Sequence, residues 1–313
     1  DLLLGLTAVL ADGSVIPALR HLRKDNTGYA LRQLLAGSEG TLAVITEVAL
    51  KLEPAPVQQE TAFLAVADAE AALAVLGRLR RLDPGALVAF EWISAAALDL
   101  VLAHLPGSVR PVGDAPCYVL AELATPRAGA DLRPLLEAGL TAALEAGEAR
   151  DAVLAESLGQ RAQLWSLREN LSEAQKRAGA SVKNDVSVPV SRIPALIAGA
   201  AAACEAVAAE VIVAPFGHLG DGNIHLNVVQ PPGMAAPRFA ALAPALVAAV
   251  EGVAHALGGS FSAEHGVGAL KRAELATWRG GGELAAMRRI KAALDPHGTL
   301  NPGKLLPSPG PVA

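Results

Sequence analysis

The chain has 313 residues, 52% of them hydrophobic, and a net charge of −5 from 26 Lys and Arg against 31 Asp and Glu. That length buries a large core and divides readily into two domains, while so even a charge balance gives no field to recruit nucleic acid or an anionic membrane. Small molecules are the expected partners. Two cysteines, Cys117 and Cys204, are too few for a disulfide framework or a thiolate metal site and point to a reducing, cytoplasmic compartment. The longest apolar runs, such as residues 195–204, stop short of the roughly 20 residues of a membrane span, so no transmembrane segment is expected.

LLLGLTAVLADGSVI (2–16) reads as two strands about an Asp12-Gly13 turn, and LAVITEVALKL (42–52) as a third. The start at Asp1, without Met, basic n-region or cleavage site, reads as a fragment of a longer chain. PAPVQQ (54–59) reads as a linker. Beyond it strands and helices alternate: strand 61–68, helix 69–82, strand 86–94, helix 95–105, strand 117–125, helix 132–146 and strand 152–157. A long helix at 158–177, a strand at 181–188, a helix at 192–208 and a strand from 211 lead into FGHLGDGNIHLN, residues 216–227. Helices at 238–257, 267–277 and 283–294 follow, and the tail 294–306 is turn-rich yet apolar enough to dock. The alternation predicts an α/β or α+β domain whose helices cover one sheet.

Asp221-Gly222 is the strongest hairpin signal in the chain. With that pair as the turn, His218 is expected to face His225 directly, Leu219 to face Ile224, and Gly220 to face Asn223. Opposed residues share a face with Cβ atoms about 5 Å apart, so both imidazoles reach one ion, and Asn227 projects from the same face. A lone strand histidine is usually structural; the pairing is what favours chemistry here. SAEHGVGALK (262–271) adds Glu264 and His265 on a glycine-flanked loop. Two His nitrogens and one Glu oxygen leave open positions on Zn²⁺ or a similar divalent ion, the pattern of a catalytic metal. Arg168 and Ser172, four apart on the helix 158–177, share a face, and Lys183 begins the next strand. Together they suit a carboxylate. Arg168 equally suits a surface charge paired with Glu169 or Glu173.

Four separated stretches, DNTGYALRQLLAGSEGTLAVITEVALKL, FGHLGDGNIHLN, SAEHGVGALK and LDPHGTLNPGKLL, closely resemble the C-terminal two-thirds of the FAD-linked 2-hydroxyacid dehydrogenases. These belong to the vanillyl-alcohol-oxidase/PCMH superfamily and act on D-2-hydroxyglutarate, D-lactate or glycolate. The resemblance implies an α+β fold: the distal half of a FAD-binding domain at 1–56, a ferredoxin-like substrate or cap domain with an antiparallel sheet and the metal site at 57–282, and a segment returning to the FAD domain at 283–313. It implies that Gly37, Ser38, Glu39, Gly40, Thr41 and Ile45 lie against FAD, with Asn26, Gly28, Asn301 and Lys304 on the same wall. The family's metal ligands fall on His218, His225 and Glu264, beside Asn227 and His265. Arg168, Ser172 and Lys183 fall where members close to D-2-hydroxyglutarate dehydrogenase hold a second carboxylate. The family's N-terminal third, which wraps the FAD pyrophosphate, has no counterpart in the sequence.

The implied activity is metal-assisted oxidation of a D-2-hydroxy acid, of the D-2-hydroxyglutarate or D-lactate class, to the 2-oxo acid. His265 or a neighbouring group takes the hydroxyl proton, FAD takes the hydride, and an electron-acceptor protein or quinone reoxidises the flavin. A homodimer is compatible with this. Two rivals remain: a catalytically incomplete fragment of such an enzyme, and a zinc hydrolase using the same His, His and Glu set.

Overall fold

A computed structural model describes residues 2–307. It divides into two units: one holds the residues up to Pro54 together with those from Glu264 on, and the other is the continuous stretch Ala55–Ala263. In the first unit, Asp12 closes the turn between β1 (Leu3–Val9) and β2 (Val15–Ala18) by accepting the Ser14 N–H at 2.9 Å. After the short helix α1 (Leu31–Leu35), β3 (Val44–Leu50) pairs with β1, giving the antiparallel order β2-β1-β3.

The second unit begins with β4 (Gln58–Val66), α2 (Ala69–Leu82), β5 (Leu87–Ser94) and α3 (Ala95–His104). Next come β6 (Cys117–Thr125), α4 (Leu132–Glu145), β7 (Asp151–Leu154), α5 (Leu158–Glu169) and α6 (Leu171–Ala178). The side chains of Asp68, Ser94 and Ser157 cap α2, α3 and α5, each accepting an otherwise unpartnered N–H of the first turn. The remaining elements are β8 (Ser181–Val182), β9 (Asp185–Ser187), α7 (Ile193–Val207), β10 (Ile212–Val213), β11 (Phe216–His218), β12 (Asn223–His225), β13 (Val228–Val229) and α8 (Ala236–Ala256). In the first unit α9 (Arg272–Trp278) and α10 (Gly282–Leu294) complete the fold.

Seven strands of the second unit form one sheet, β7-β4-β6-β5-β11-β12-β9, antiparallel at every pairing. Its first four strands, with α2 and α4, have the strand order and βαββαβ connections of a ferredoxin-like fold, extended by the hairpin β11-β12 and by β9. Helices cover both faces. Leu64, Trp92, Val119 and Ala121 pack with residues of α2, α4, α7 and α8, while Phe63, Ile93, Leu120 and Phe216 pack with α3, α5 and α6. All nine residues of β6 are therefore buried.

Several elements depart from the sequence reading. The long helix breaks at Asn170, where φ is −87° and ψ is 0°, so Arg168 and Ser172 stand on different helices. Three expected continuous strands each break, giving β8 and β9, β10 and β11, β12 and β13; one part of each joins the large sheet and the other a small sheet, β10-β13-β8. The ladder bonds lost there are replaced by buried amides. Asn227 Oδ1 accepts from Asn184 N (3.3 Å), Asn227 Nδ2 donates to Gln175 Oε1 (2.8 Å), and Gln175 Nε2 donates to the Ala214 carbonyl (3.0 Å). Residues 264–282, read with the second domain, group with the first unit. Residues 190–207 and α8 are long and apolar enough to cross a membrane by length and composition, beyond what the sequence reading allowed. Both contribute to the core, through Leu196, Ala200, Leu246 and Val250.

Candidate active site

Sheet register builds the histidine pair. The hairpin does not turn on Asp221-Gly222 alone: His218 pairs with Asn223, Gly217 with Ile224 and Phe216 with His225, around a four-residue loop. The Asp221 carboxylate accepts the Asn223 N–H at 3.2 Å, a local bond that widens the turn. Gly217 and Gly222 are required, since a Cβ would lie 2.4 Å from the Asn223 carbonyl oxygen or 2.2 Å from that of Val188. Direct opposition of the histidines is thereby corrected to a diagonal. They still share a face, with ring centroids 5.6 Å apart and planes at 78°.

Each histidine does face a carboxylate on the next strand outward. His218 pairs with Glu91 of β5, and its Nδ1 lies 2.8 Å from Glu91 Oε1. His225 pairs with Asp185 of β9, with Nδ1 3.5 Å from Asp185 Oδ1. The row Glu91, His218, His225, Asp185 runs across four adjacent strands. Asp185 is further fixed by Asn223 Nδ2 (2.8 Å) and Ala263 N (3.1 Å). Glu91 also accepts from Arg168 Nε at 2.8 Å, and the guanidinium lies 4.9 Å from the Phe216 ring centre. Burial pushes the Glu91 carboxyl up, but the His218 and Arg168 contacts outweigh it and hold the group below its ordinary value. Arg168 is thus no surface charge paired with Glu169 or Glu173. Its Nη2 lies 3.5 Å from His218 Nε2.

Neither Glu91 nor Asp185 figures in the sequence reading. The signal for Glu91 is the single charge in AFEWIS, an apolar strand that cannot bury a carboxylate unpaired. Glu122 in CYVLAELAT is its counterpart, accepting from Thr61 Oγ1 (2.7 Å), Arg161 Nε and Nη2 (2.8 and 2.9 Å) and Trp165 Nε1 (2.8 Å). Arg161 and Arg168 lie two turns apart on α5, so two buried glutamates fasten that helix to the sheet.

Other expected residues are more dispersed. Ser172 and Lys183 are both exposed, and the structure shows no contact joining either to Arg168. Asn227 is occupied at the sheet break described above. Glu264 and His265 follow Ala263 at the start of the first unit's second segment, with Oε1 and Nε2 3.8 Å apart. Cys117 and Cys204 are buried, which pushes both thiols up to about 11 and leaves them unreactive.

Within the first unit, Asn26 and Gly28 line a cleft of about 130 Å³ with Arg20, Thr27, Tyr29 and Arg32. Gly37 and Gly40 have φ of +85° and +69°, and a Cβ at Gly37 would meet nothing within 4 Å, so bare backbone is presented there. Thr41 is buried and its hydroxyl donates to the Ser38 carbonyl at 2.7 Å, whereas Ile45 is exposed. Asn301 Nδ2 donates to the Glu39 carbonyl at 2.5 Å, and Lys304 is exposed. The Glu39 side chain turns away from this backbone, to Val267 N and Gly268 N at 2.7 Å each.

Residues 55–305 match the family described as FAD linked oxidases, C-terminal domain. The chain belongs to that family. It is 40% identical over 305 residues to D-2-hydroxyglutarate dehydrogenase, mitochondrial, of Bos taurus, covering 97% of this chain and 54% of that protein. The D-2-hydroxyglutarate dehydrogenase of Xanthomonas citri pv. viticola is 36% identical, with 96% and 62% covered. The chain of this FAD-linked oxidase family member thus spans little more than half the length of such relatives. Among solved structures, p-cresol methylhydroxylase with substrate bound gives a TM-score of 0.66 at 15% identity, covering 97% of this chain and 64% of that one. The 4-ethylphenol oxidase of Gulosibacter chungangensis gives 0.61 at 17%, covering 97% and 66%. These two likenesses show that the chain shares the fold of the corresponding parts of those proteins. Family membership leaves the hydrolase reading without support.

The family name implies FAD, and the bare backbone at Gly37 leaves room for a cofactor to approach. The histidine pair also fits a metal: each ring has Nδ1 beside a carboxylate, Glu91 for His218 and Asp185 for His225, which fixes the orientation of the ring.

Proposed function

We propose that this chain carries the substrate site of a FAD-linked dehydrogenase that oxidises a D-2-hydroxy acid, D-2-hydroxyglutarate foremost, to the 2-oxo acid. The observation that carries this reading is the carboxylate-backed pair His218 and His225 beside a desolvated Arg168. The relatives named D-2-hydroxyglutarate dehydrogenase supply the substrate class. When bound, the flavin supplies a hydride acceptor and a divalent ion, Zn²⁺ by the nature of the donors, supplies a Lewis acid.

The chain's own residues have the remaining tasks. His218 and His225 offer Nε2 to the ion, with Glu264 as the third ligand. Arg168 keeps Nη1 for a substrate carboxylate while Glu91 holds Nε, and Ser172 and Lys183 serve the second carboxylate. His265 accepts the hydroxyl proton on a ring nitrogen as the α-hydrogen leaves with its electron pair. Asn227 acts at one remove, by keeping the strand that carries His225 in place. An electron-acceptor protein or quinone then takes the two electrons.

The test uses the protein with any sequence that precedes Asp1 included. His218→Ala is expected to release the metal, read by elemental analysis, and to lower turnover of D-2-hydroxyglutarate by at least about a thousandfold, as loss of a Lewis acid worth several kcal/mol requires. A fully active, metal-free variant would rule the reading out.

A further inference from the structure

Glu39 lies in the segment GSEGT, which the family resemblance sets against FAD, yet its carboxylate is committed elsewhere in the same unit. Oε1 accepts from Val267 N and Oε2 from Gly268 N, both at 2.7 Å. Gly266 and Gly268, with φ of +74° and +56°, curl the loop so that successive N–H groups converge. That concavity is an anion-binding nest, and the carboxylate fills it. The loop is AEHGVG, which carries Glu264 and His265 immediately before the nest.

Other contacts agree. Glu39 has φ of 53°, a left-handed conformation that a non-glycine residue adopts at a cost. The Asn301 amide donates to its carbonyl, and Leu305 N donates to the Gly268 carbonyl at 2.8 Å. A Cβ on Gly266 would come within 2.8 Å of Glu39 Oε1, so the glycine leaves room for the carboxylate.

We infer that Glu39 is a positioning residue for the Glu264–His265 loop, its carboxylate holding the loop backbone rather than touching the flavin. This rests on the proposed roles of Glu264 and His265. It extends that reading by coupling the cofactor-side segment to the proton acceptor and the third ligand.

The experiment compares Glu39→Gln with the unchanged full-length holoenzyme. A neutral amide turns an N–H group toward one of the two backbone donors, so one charge-assisted bond is lost and the other weakened. Hydrogen exchange at Val267 and Gly268 is expected to quicken by about tenfold or more, the worth of a hydrogen bond to a charged group. Flavin content after desalting stays at the parent level, zinc is bound roughly tenfold more weakly, and added zinc chloride restores part of the lost kcat. Gly266→Ala crowds the same carboxylate from the other side, and is expected to loosen the same amides while Glu39 remains. It keeps the inference testable if Glu39→Gln does not fold. Loss of flavin with unchanged exchange at 267–268 would overturn the inference, as would unchanged exchange in both variants. Exchange is read without metal, so a parent protein that holds no zinc refutes the proposed metal site and still leaves the Glu39 contact decided.

Discussion

Both units are built around antiparallel strands, yet they treat apolar side chains in opposite ways. β6 buries all nine of its residues between two helical layers, whereas β3 leaves every side chain but Ala49 exposed, Val44, Ile45, Val48 and Leu50 among them. The difference bears on how each unit fixes functional groups. In the second, a sheet covered on both faces sets Glu91 against His218 and Asp185 against His225 through register alone. The first has a small sheet and long loops, and it ties those loops with side chains that bond backbone groups: Glu39 to residues 267 and 268, Lys291 to the Thr41 carbonyl. An edge strand with so much branched apolar surface is also the kind that pairs with other polypeptide.

The sharpest way to break the contrast is to remove one glutamate from each unit. Glu91→Ala leaves Arg168 desolvated without its carboxylate and frees the His218 ring, and about 3–5 kcal/mol of stability should be lost, measured by urea unfolding. Glu47→Ala on exposed β3 should stay within about 0.5 kcal/mol. Equal losses would show that burial does not separate the two units energetically. A matched pair of valines sharpens the same point on a smaller scale. Val119→Thr puts a hydroxyl into a fully buried position and should cost about 1–3 kcal/mol, while Val48→Thr, half exposed, should be near neutral. A Val48→Thr loss as large as that of Val119→Thr would mean that another surface covers β3.

Much of the second unit was legible because its signals are local. Period-2 and period-3.6 patterns placed β4, α2, β5, β6 and α4 to within a few residues. The shared face of His218 and His225 was also readable, since side-chain alternation survives a change of loop length by two. What was not readable came from long range. The broken strands depend on Asn184, Asn227 and Gln175 meeting from three separate segments, and no local pattern encodes that meeting. Asn227 looked like a site residue because alternation puts it on the face of His225, whereas its amide is bonded to Asn184 N and Gln175 at the strand break. Arg168 read as a carboxylate ligand or as a surface charge, and local pattern could not choose, because the glutamate that neutralises it, Glu91, stands 77 positions away. The carboxylate of Glu39 was set against the flavin by resemblance, which maps a position without saying which way its side chain turns.

The smallest expected effect belongs to the tie that closes the first unit's tail. Asp295 is buried, and the Lys291 ammonium beside it holds its carboxyl down to about 2 against the opposing effect of burial, with help from the Leu300 and Thr299 N–H groups at 2.8 and 2.9 Å. A carboxyl depressed in the folded state contributes stability that is complete above its ordinary value near 4 and is lost as pH falls toward the folded value. Protection of the Thr299 and Leu300 amides against exchange, corrected for intrinsic rate, should therefore be flat above about pH 4 and decline between about 4 and 2. Asp295→Asn should remove that decline by lowering protection at every pH, while the Glu91 and Arg168 pair in the second unit is untouched. Protection that fades between pH 6 and 4, or that survives in Asp295→Asn, would show that the tail is held by its apolar contacts, Ile290 and Leu294 against Leu6 and Leu35, and not by the charge.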